Sequence, residues 1–416
     1  MAPGDLIDCE VESGHWRDAM HALRLLHKRL ADALPEMHVA RLGSLVAAVG
    51  GLVNGQQLWL SGVGRHLAGP VDEKHKIKRI DRLLGNTRLY QERRSVYRWL
   101  SRLLLAQCRQ PCVIVDWSDI DPGRKLYLLR AAVSVGGRAL PLYEEVYTRY
   151  HHRADTAAFL RHLATLLPPG CVPIIVTDAG FRSPWFKAIE ALGWYYVGRV
   201  RNRDHVRFPG TGAWIPGKAL YDRATPRPRA LGQLSIPRSA PMSTRAYLVR
   251  KPAAGRHRLN VYGHRRQNAA SKKAASRERE PWLLVSNLPV SRGIAKRVVA
   301  IYRDRMSIEQ GFRDLKAHRH GFAFRSNLGR HPQRIANLLL IAALAVLVIW
   351  LTGLAGIAAR LHRGMQANTE KRRRVLSTFF IGIRMIQRRY RLTLEQFLDG
   401  MQQLQQCIRE RNYETG

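Results

Sequence analysis

Residues 111–120, PCVIVDWSDI, and residues 172–181, VPIIVTDAGF, decide the fold. Each is a short apolar run that ends in an acidic residue, a pattern typical of a central buried strand. Between them, LYLLRAAVSVGGRALPLYEEVY (126–147) predicts two strands joined by a Gly-Gly turn, and residues 156–169 predict an amphipathic helix closed by proline. This alternation predicts an α/β sheet with mixed strand pairing.

The flanking segments differ from this pattern and suggest further parts of the chain. Residues 202–290 are rich in Pro, Gly and Arg with short β-like pieces, and residues 291–318 predict one long helix. We therefore predict five parts: a helical DNA-binding region (1–107), a first α/β part (108–201), a β-rich insertion (202–290), a second α/β part (291–362), and a helical C-terminal region (363–416) that is a candidate dimer contact.

One apolar stretch, LLLIAALAVLVIWLTGLAGIAA (338–359), is long enough to span a membrane. We interpret it as a buried core helix, because its Ala and Gly residues suit close packing. It is the only such segment in a very basic chain, and Arg334 and Arg360 flank both ends, so it shows no orientation bias.

The charge of the chain points to a polyanionic partner. There are 69 Lys and Arg residues against 31 Asp and Glu, a net charge of +38, and the isoelectric point is near 11.1. Such a field favours nucleic acid first and an anionic membrane surface second. Five cysteines without a zinc or disulfide spacing predict reduced thiols in a cytosolic protein, and the acidic N-terminal stretch does not resemble a signal peptide.

A basic helix is predicted within DEKHKIKRIDRLLGN (72–86). Its apolar residues recur at helical spacing, and cations surround them, which suggests a helix anchored to the fold and laid on a phosphate backbone. A solvated surface face is the alternative. The candidate DNA contacts are Lys76, Lys78, Arg79 and Arg82.

The segment YRDRMSIEQGFRDLK (302–316) places four chemically distinct side chains on one predicted helical face. Tyr302, Arg305, Glu309 and Lys316 fall at roughly 0°, 300°, 340° and 320° around an ideal helix. A hydroxyl, a guanidinium, a carboxylate and an ammonium in one stripe suit a phosphate and a metal ion. A solvated charged stripe is an equally weighted alternative on spacing alone.

Three carboxylates complete the candidate chemistry. Asp116 and Asp178 are expected at the carboxyl ends of apolar strands, where α/β sheets bind ligands, and Glu309 lies on the helical stripe. Three carboxylates around two Mg²⁺ ions would form a phosphoryl-transfer site. Either aspartate could instead be a turn residue.

Together these residues resemble the DDE transposases of the bacterial insertion-sequence-four family, with its YREK signature, and most closely the transposon Ten branch. The resemblance implies an RNase H-like catalytic core with a β-rich insertion, two Mg²⁺ ions per site that Mn²⁺ can replace, and a homodimer on double-stranded DNA. It also implies cut-and-paste transposition by nicking, hairpin formation and strand transfer at the terminal inverted repeats and target DNA. By the same resemblance Tyr302, Arg305 and Lys316 hold a phosphate beside a flipped base, and Trp282 stacks on that base; a core tryptophan is the alternative.

Other classes of function remain open. A DNA-binding regulator without cleavage would be expected to lack one of the carboxylates, yet all three are present. A stand-alone RNase H-like nuclease needs neither the YREK stripe nor a large basic N-terminal region. A membrane protein is the remaining alternative. We expect a cytoplasmic, nucleoid-associated bacterial protein that is not bound to a membrane.

Overall fold

The computed structural model describes residues 20–106, 108–121, 126–201, 204–252, 264–269, 271–272, 276, 279–367, 369–370, 373–390 and 393–410. The first 19 residues, with Cys9 and the acidic N-terminal stretch, lie outside this part. Helices α1 to α12 of the described chain are Met20–Ala33, Val39–Gly55, Leu60–Arg65, Glu73–Leu84, Thr87–Leu105, Arg153–Leu166, Ser183–Ala191, Ile294–Asp304, Ser307–Lys316, Pro332–Ala358, Thr378–Gln387 and Leu394–Glu410. Strands β1 to β10 are Cys112–Asp121, Leu126–Val135, Arg138–Tyr147, Ile174–Thr177, Tyr195–Val200, His205–Val206, Ile215–Pro216, Arg229–Ile236, Met242–Val249 and Trp282–Ser286.

The predicted hairpin forms the edge of the central sheet. Strands β2 and β3 pair antiparallel, and Gly136 and Gly137 between them have φ angles of 54° and 79°. Two positive φ angles in a two-residue loop suit the right-handed twist of the flanking strands, and glycine adopts them without steric conflict. The Gly-Gly turn predicted from the sequence is therefore confirmed.

The central sheet has eight strands in the order β3-β2-β1-β4-β5-β10-β9-β8. Strand β1 is antiparallel to β2 and parallel to β4, and β4 is parallel to β5, so the pairing is mixed as predicted. Strands of the 202–290 stretch extend this same sheet, because β10 pairs directly with β5. The mixed α/β architecture is consistent with an RNase H-like domain.

The sequence predicted one long helix over 291–318. This prediction is wrong in one respect, because the structure divides the segment into α8 and α9. The break lies at Arg305 and Met306, whose backbone N–H groups bond to the carbonyls of Tyr302 and Arg303. Such bonds to the third preceding residue tighten a helical turn and interrupt regular α-helix. The two residues themselves keep right-handed helical dihedral angles.

Helix α10 is the apolar segment, and it lies in the core. The most apolar 18 residues of the helix are 94% buried. The helix packs against α2, α5, α11, α12 and β3. Glycines permit this closeness: a Cβ on Gly353 would lie 2.2 Å from the carbonyl oxygen of Thr378, and one on Gly382 would lie 2.0 Å from that of Ile349. The Ala- and Gly-rich composition thus lets α10 and α11 approach backbone to backbone.

The N-terminal helices pack against this core, and α4 has the two faces expected of it. Ile80, Leu83 and Leu84 are buried on one side. Three candidate DNA contacts, Lys78, Arg79 and Arg82, are exposed. Lys76 is half-buried, because it lies one turn before Ile80 on the buried face. The cationic face of α4 is therefore available to a phosphate backbone.

Candidate active site

Strand register brings the first two carboxylates together. In the parallel pair β1–β4, Ile114 lies opposite Val176, and Asp116 and Asp178 each follow two residues later along their chains. Asp178 comes directly after β4 ends at Thr177. The two aspartates therefore meet where the parallel pairing stops, which is the edge at which α/β sheets bind ligands.

The expectation that β1 ends at Asp116 is wrong. The strand continues to Asp121, because antiparallel pairing with β2 persists after pairing with β4 has stopped, and Asp116 lies opposite Arg130. Asp116 is consequently held in the body of the sheet, and its side chain is only 15% exposed.

The environment of Asp116 disfavours its charge. Burial, followed by the negative charge of Asp178, raises the pKa of Asp116 from 3.8 to about 7, and Glu309 contributes in the same direction. Arg305 and the Trp117 backbone N–H, which donates to Asp116 Oδ1 at 2.8 Å, oppose this rise. Burial is the largest cause of the rise, and Arg305 and the backbone N–H only partly oppose it.

Arg305 joins the sheet to the helix that carries the third carboxylate. Its Nη1 donates to Asp116 Oδ2 at 3.1 Å, and its Nη2 donates to Glu309 Oε1 at 3.0 Å. The guanidinium is 11% exposed, whereas Glu309 is 47% exposed. Burial lowers the pKa of Arg305, but Tyr302, Asp116 and Asp178 outweigh it and raise that pKa overall. Asp116, Arg305 and Glu309 thus form one connected group.

The donor chemistry of this group fits a hard divalent cation. Carboxylate oxygens are the ligands that Mg²⁺ prefers, and a cation bound here would stabilise the charged form of the buried Asp116. Among the residues that the structure describes, however, no three His, Cys, Asp or Glu side chains are close enough to hold one metal ion. The guanidinium of Arg305 lies between two of the three carboxylates instead.

Lys316 is at the other end of α9 and contacts β1 beyond Asp116. Its Nζ donates to Ser118 Oγ at 2.7 Å and to the carbonyl oxygen of Asp119. Burial and then the positive charge of Arg325 lower the pKa of Lys316 from 10.5 to about 8. Lys316 and Arg325 line a cavity of about 440 Å³, which offers two cations to an anionic group.

Tyr302 lies on the preceding helix, α8, and its side chain is buried and not on an open face. It is 4% exposed and meets the 7% exposed ring of Trp282 edge to face, with ring centroids 4.8 Å apart. The Nζ atom of Lys251 lies 4.3 Å from the centre of the Trp282 ring. Trp282 therefore occupies a core position at the start of β10.

Two buried charged residues beside the site were not anticipated. Arg130, opposite Asp116 in β2, donates from Nε to Glu144 Oε1 at 2.8 Å, and Glu144 also accepts from the hydroxyl of Tyr97. Arg130 and Glu144 lie directly opposite each other on β2 and β3. Both residues lie in a predicted hairpin that is mostly apolar. This was the signal in the sequence for a buried ion pair, because a buried charge requires a partner.

The family comparison agrees with this geometry. A family model described as a transposase DDE domain matches residues 107–348, which is more than half of the chain and includes all three carboxylates. The chain belongs to this transposase DDE domain family. No curated protein matches the chain.

Membership of the DDE family has direct consequences. A DDE transposase domain implies a nuclease or transposase activity on DNA, and such domains generally use divalent metal ions. The match includes residues 108–201 and 202–290 in full, and it ends at residue 348, within helix α10.

Proposed function

We propose that the protein is a cut-and-paste transposase of the insertion-sequence-four family, closest to the transposon Ten branch. Asp116, Asp178 and Glu309 are its catalytic carboxylates. The observation that carries this proposal is the register of β1 and β4, which sets Asp116 beside Asp178, together with the Arg305 bridge from Asp116 to Glu309.

The three carboxylates would hold two Mg²⁺ ions, with Mn²⁺ able to substitute. When bound, the ions would supply an activated water or 3′-hydroxyl and stabilise the leaving oxygen. Holding the phosphate in line is then the main task of the protein. Arg305 and Lys316 are the cations placed for this, since both lie along the part of β1 that begins at Asp116.

We further propose that nicking is followed by hairpin formation, hairpin opening and strand transfer at the terminal inverted repeats. Tyr302 and Trp282 would flank a flipped base in the hairpin. Their present edge-to-face packing leaves little ring surface exposed, so that role requires the two rings to open on DNA binding.

The remaining parts of the chain have roles that follow from their charge and packing. The N-terminal region 1–107 would bind DNA through the exposed face of α4, with Lys78, Arg79 and Arg82 on phosphates and the half-buried Lys76 at the edge of that contact. The β-rich insertion would occupy 202–290 between core segments 108–201 and 291–362. Region 363–416 would support a homodimer on DNA. Because α10 is buried in the core, we propose a cytoplasmic, nucleoid-associated protein rather than a membrane protein.

The test is cleavage of a labelled duplex of the element's own end, with Mg²⁺ or EDTA, resolved on a denaturing gel. We expect a Mg²⁺-dependent nick followed by a hairpin. Asp116→Asn, Asp178→Asn and Glu309→Gln should each abolish cutting but leave binding. Asp222→Asn makes the same charge change at an exposed residue outside the proposed catalytic, DNA-binding and dimer regions and should cut normally.

The products also separate the alternatives. Lys316→Ala and Arg305→Ala should reduce hairpin formation more than the first nick. An equal loss at both steps would indicate general binding instead. Binding by the wild-type protein without any cut, in both Mg²⁺ and Mn²⁺, would favour a DNA-binding regulator. Nicking that never proceeds to a hairpin would favour an RNase H-like nuclease.

A further inference from the structure

An aromatic cluster lies beside the carboxylates, in the connection between β3 and α6. The Tyr150 ring is 53% exposed, and its centroid lies 4.2 Å from that of His151 and 5.3 Å from that of Trp117. The Tyr127 ring also contacts Tyr150, with centroids 5.2 Å apart. Tyr150 is thus a half-exposed ring in contact with three other rings, of which Trp117 is next in sequence to Asp116.

The backbone holds this cluster against Asp178. His151 has a φ of 53°, a left-handed conformation that is strained for a residue with a side chain. A Cβ on Gly180 would lie 3.0 Å from both Asp178 Oδ1 and His151 Nε2, so the glycine permits those two side chains to converge. A strained residue and a required glycine fix the position of the cluster relative to the carboxylate.

The electrostatic surroundings also place Tyr150 at the mouth of the site. Burial, then the negative charges of Asp178 and Asp116, raise the pKa of its hydroxyl to about 12. Two exposed cations are near: Arg149 precedes Tyr150 and pairs with Asp155, and the charge of Arg182 acts on His151. An aromatic ring next to carboxylates, with cations nearby, suits a nucleotide whose phosphate and base are both bound.

We propose that Tyr150, supported by His151 and Trp117, is a stacking platform for an unpaired nucleobase next to the phosphate that is cut. This inference rests on the proposed function, since it requires DNA at Asp116 and Asp178. The platform is distinct from the Trp282–Tyr302 pair, because Tyr150 is 53% exposed whereas those rings are 7% and 4% exposed. The platform would bind a base that has left the DNA duplex while the protein is still binding that duplex.

Photocross-linking tests the contact itself. The probe is the element-end duplex carrying 5-iododeoxyuridine at successive positions around the cut site, bound in Ca²⁺, which shares the preference of Mg²⁺ for oxygen ligands. Trypsin cleaves after Arg149 and Arg153, so a cross-link to the platform appears on the four-residue peptide YHHR, residues 150–153. We expect this peptide to be labelled from one or two positions only.

Variants then test the energetic role. Stacking of one base on one ring corresponds to roughly 5- to 150-fold in affinity. Tyr150→Leu should weaken binding of a probe with an unpaired base at the labelled position by about fivefold or more, whereas Tyr150→Phe should retain wild-type binding. Tyr195→Leu makes the same change in a half-buried tyrosine at the start of β5, the end of that strand away from the carboxylates, and should bind normally.

The outcomes distinguish this inference from the proposed function. If the wild-type protein nicks its element end, but residues 150–153 are never cross-linked and the Leu and Phe variants bind alike, the platform is refuted and the transposase function is kept. If the wild-type protein neither binds nor cuts the duplex, both proposals fail together.

Discussion

The buried ion pair next to Asp116 allows a direct test of how burial sets the strength of a salt bridge. Arg130 and Glu144 are 5% and 2% exposed, with Nη2 and Oε1 2.7 Å apart. Arg65 and Glu73 make a pair of the same residue types at 2.6 Å, but these side chains are 54% and 59% exposed. The two pairs therefore differ mainly in their access to water.

Glu144→Gln leaves the Arg130 guanidinium buried without its counter-charge. Removing one partner of a buried pair costs about 3–5 kcal/mol, while an exposed pair contributes about 0–1 kcal/mol. Since a glutamine oxygen can still accept a hydrogen bond, we expect a loss near the low end, about 3 kcal/mol. At roughly 2.1 cal/mol/K of unfolding entropy per residue, this lowers the melting temperature by about 3 °C.

The assay is thermal unfolding of Glu144→Gln and Glu73→Gln side by side, with urea titrations as an independent measure. We expect the Glu73 variant to melt within about 1 °C of the wild type. We also expect Glu144→Gln to need more Mg²⁺ for nicking, because the released Arg130 is the cross-strand neighbour of Asp116. Equal melting temperatures for both variants would refute the reasoning that burial makes the Arg130–Glu144 pair contribute more to stability than the Arg65–Glu73 pair.

Two further predictions concern packing and charge. A Cβ on Gly198 would lie 2.3 Å from the buried Phe186 ring, so Gly198→Ala should destabilise the fold by about 1–3 kcal/mol in urea unfolding, while Gly212→Ala, with no atom within 4 Å, should be neutral. If neither variant loses stability, the Phe186 ring can move aside. Because the Lys316 ammonium has a pKa of about 8 without DNA, its charge is present at pH 7 and is lost as the pH rises. The affinity advantage of the wild type over Lys316→Met should therefore be about tenfold at pH 7 and shrink toward pH 9.5 in DNA titrations; a constant ratio would contradict it.

What the sequence predicted well depends on local patterns. The apolar runs that became β1 and β4, the Gly-Gly hairpin and the two-faced helix α4 are each encoded by neighbouring residues. The extent of β1 agrees with the predicted run 111–120, but Asp116 was wrongly placed at its carboxyl end, because pairing with β2 continues the strand beyond it.

Long-range pairing and irregular backbone were harder to foresee. No local signal shows that β10 pairs with β5, since about 80 residues separate them. The break between α8 and α9 contains neither Gly nor Pro. The exposed ring of Tyr150 lies in a connection without periodicity, and its closeness to Asp178 depends on the left-handed conformation of His151.

The break between α8 and α9 does not disrupt the contact between Arg305 and Glu309. Residues four apart on a regular helix are neighbours, and an interruption between them would normally separate their side chains. Here the break keeps right-handed angles, with φ and ψ of −51° and −35° at Arg305 and −61° and −17° at Met306, and the pair is retained at 3.0 Å.

The same side chain then reaches across to Asp116, so one guanidinium fixes the distance between the sheet carboxylate and the helix carboxylate. Arg305 opposes the rise in the pKa of Asp116, but burial and the charge of Asp178 still raise that pKa to about 7. A further cation bound beside Asp116 would stabilise its charged form. Metal binding and ionisation of Asp116 would therefore be coupled.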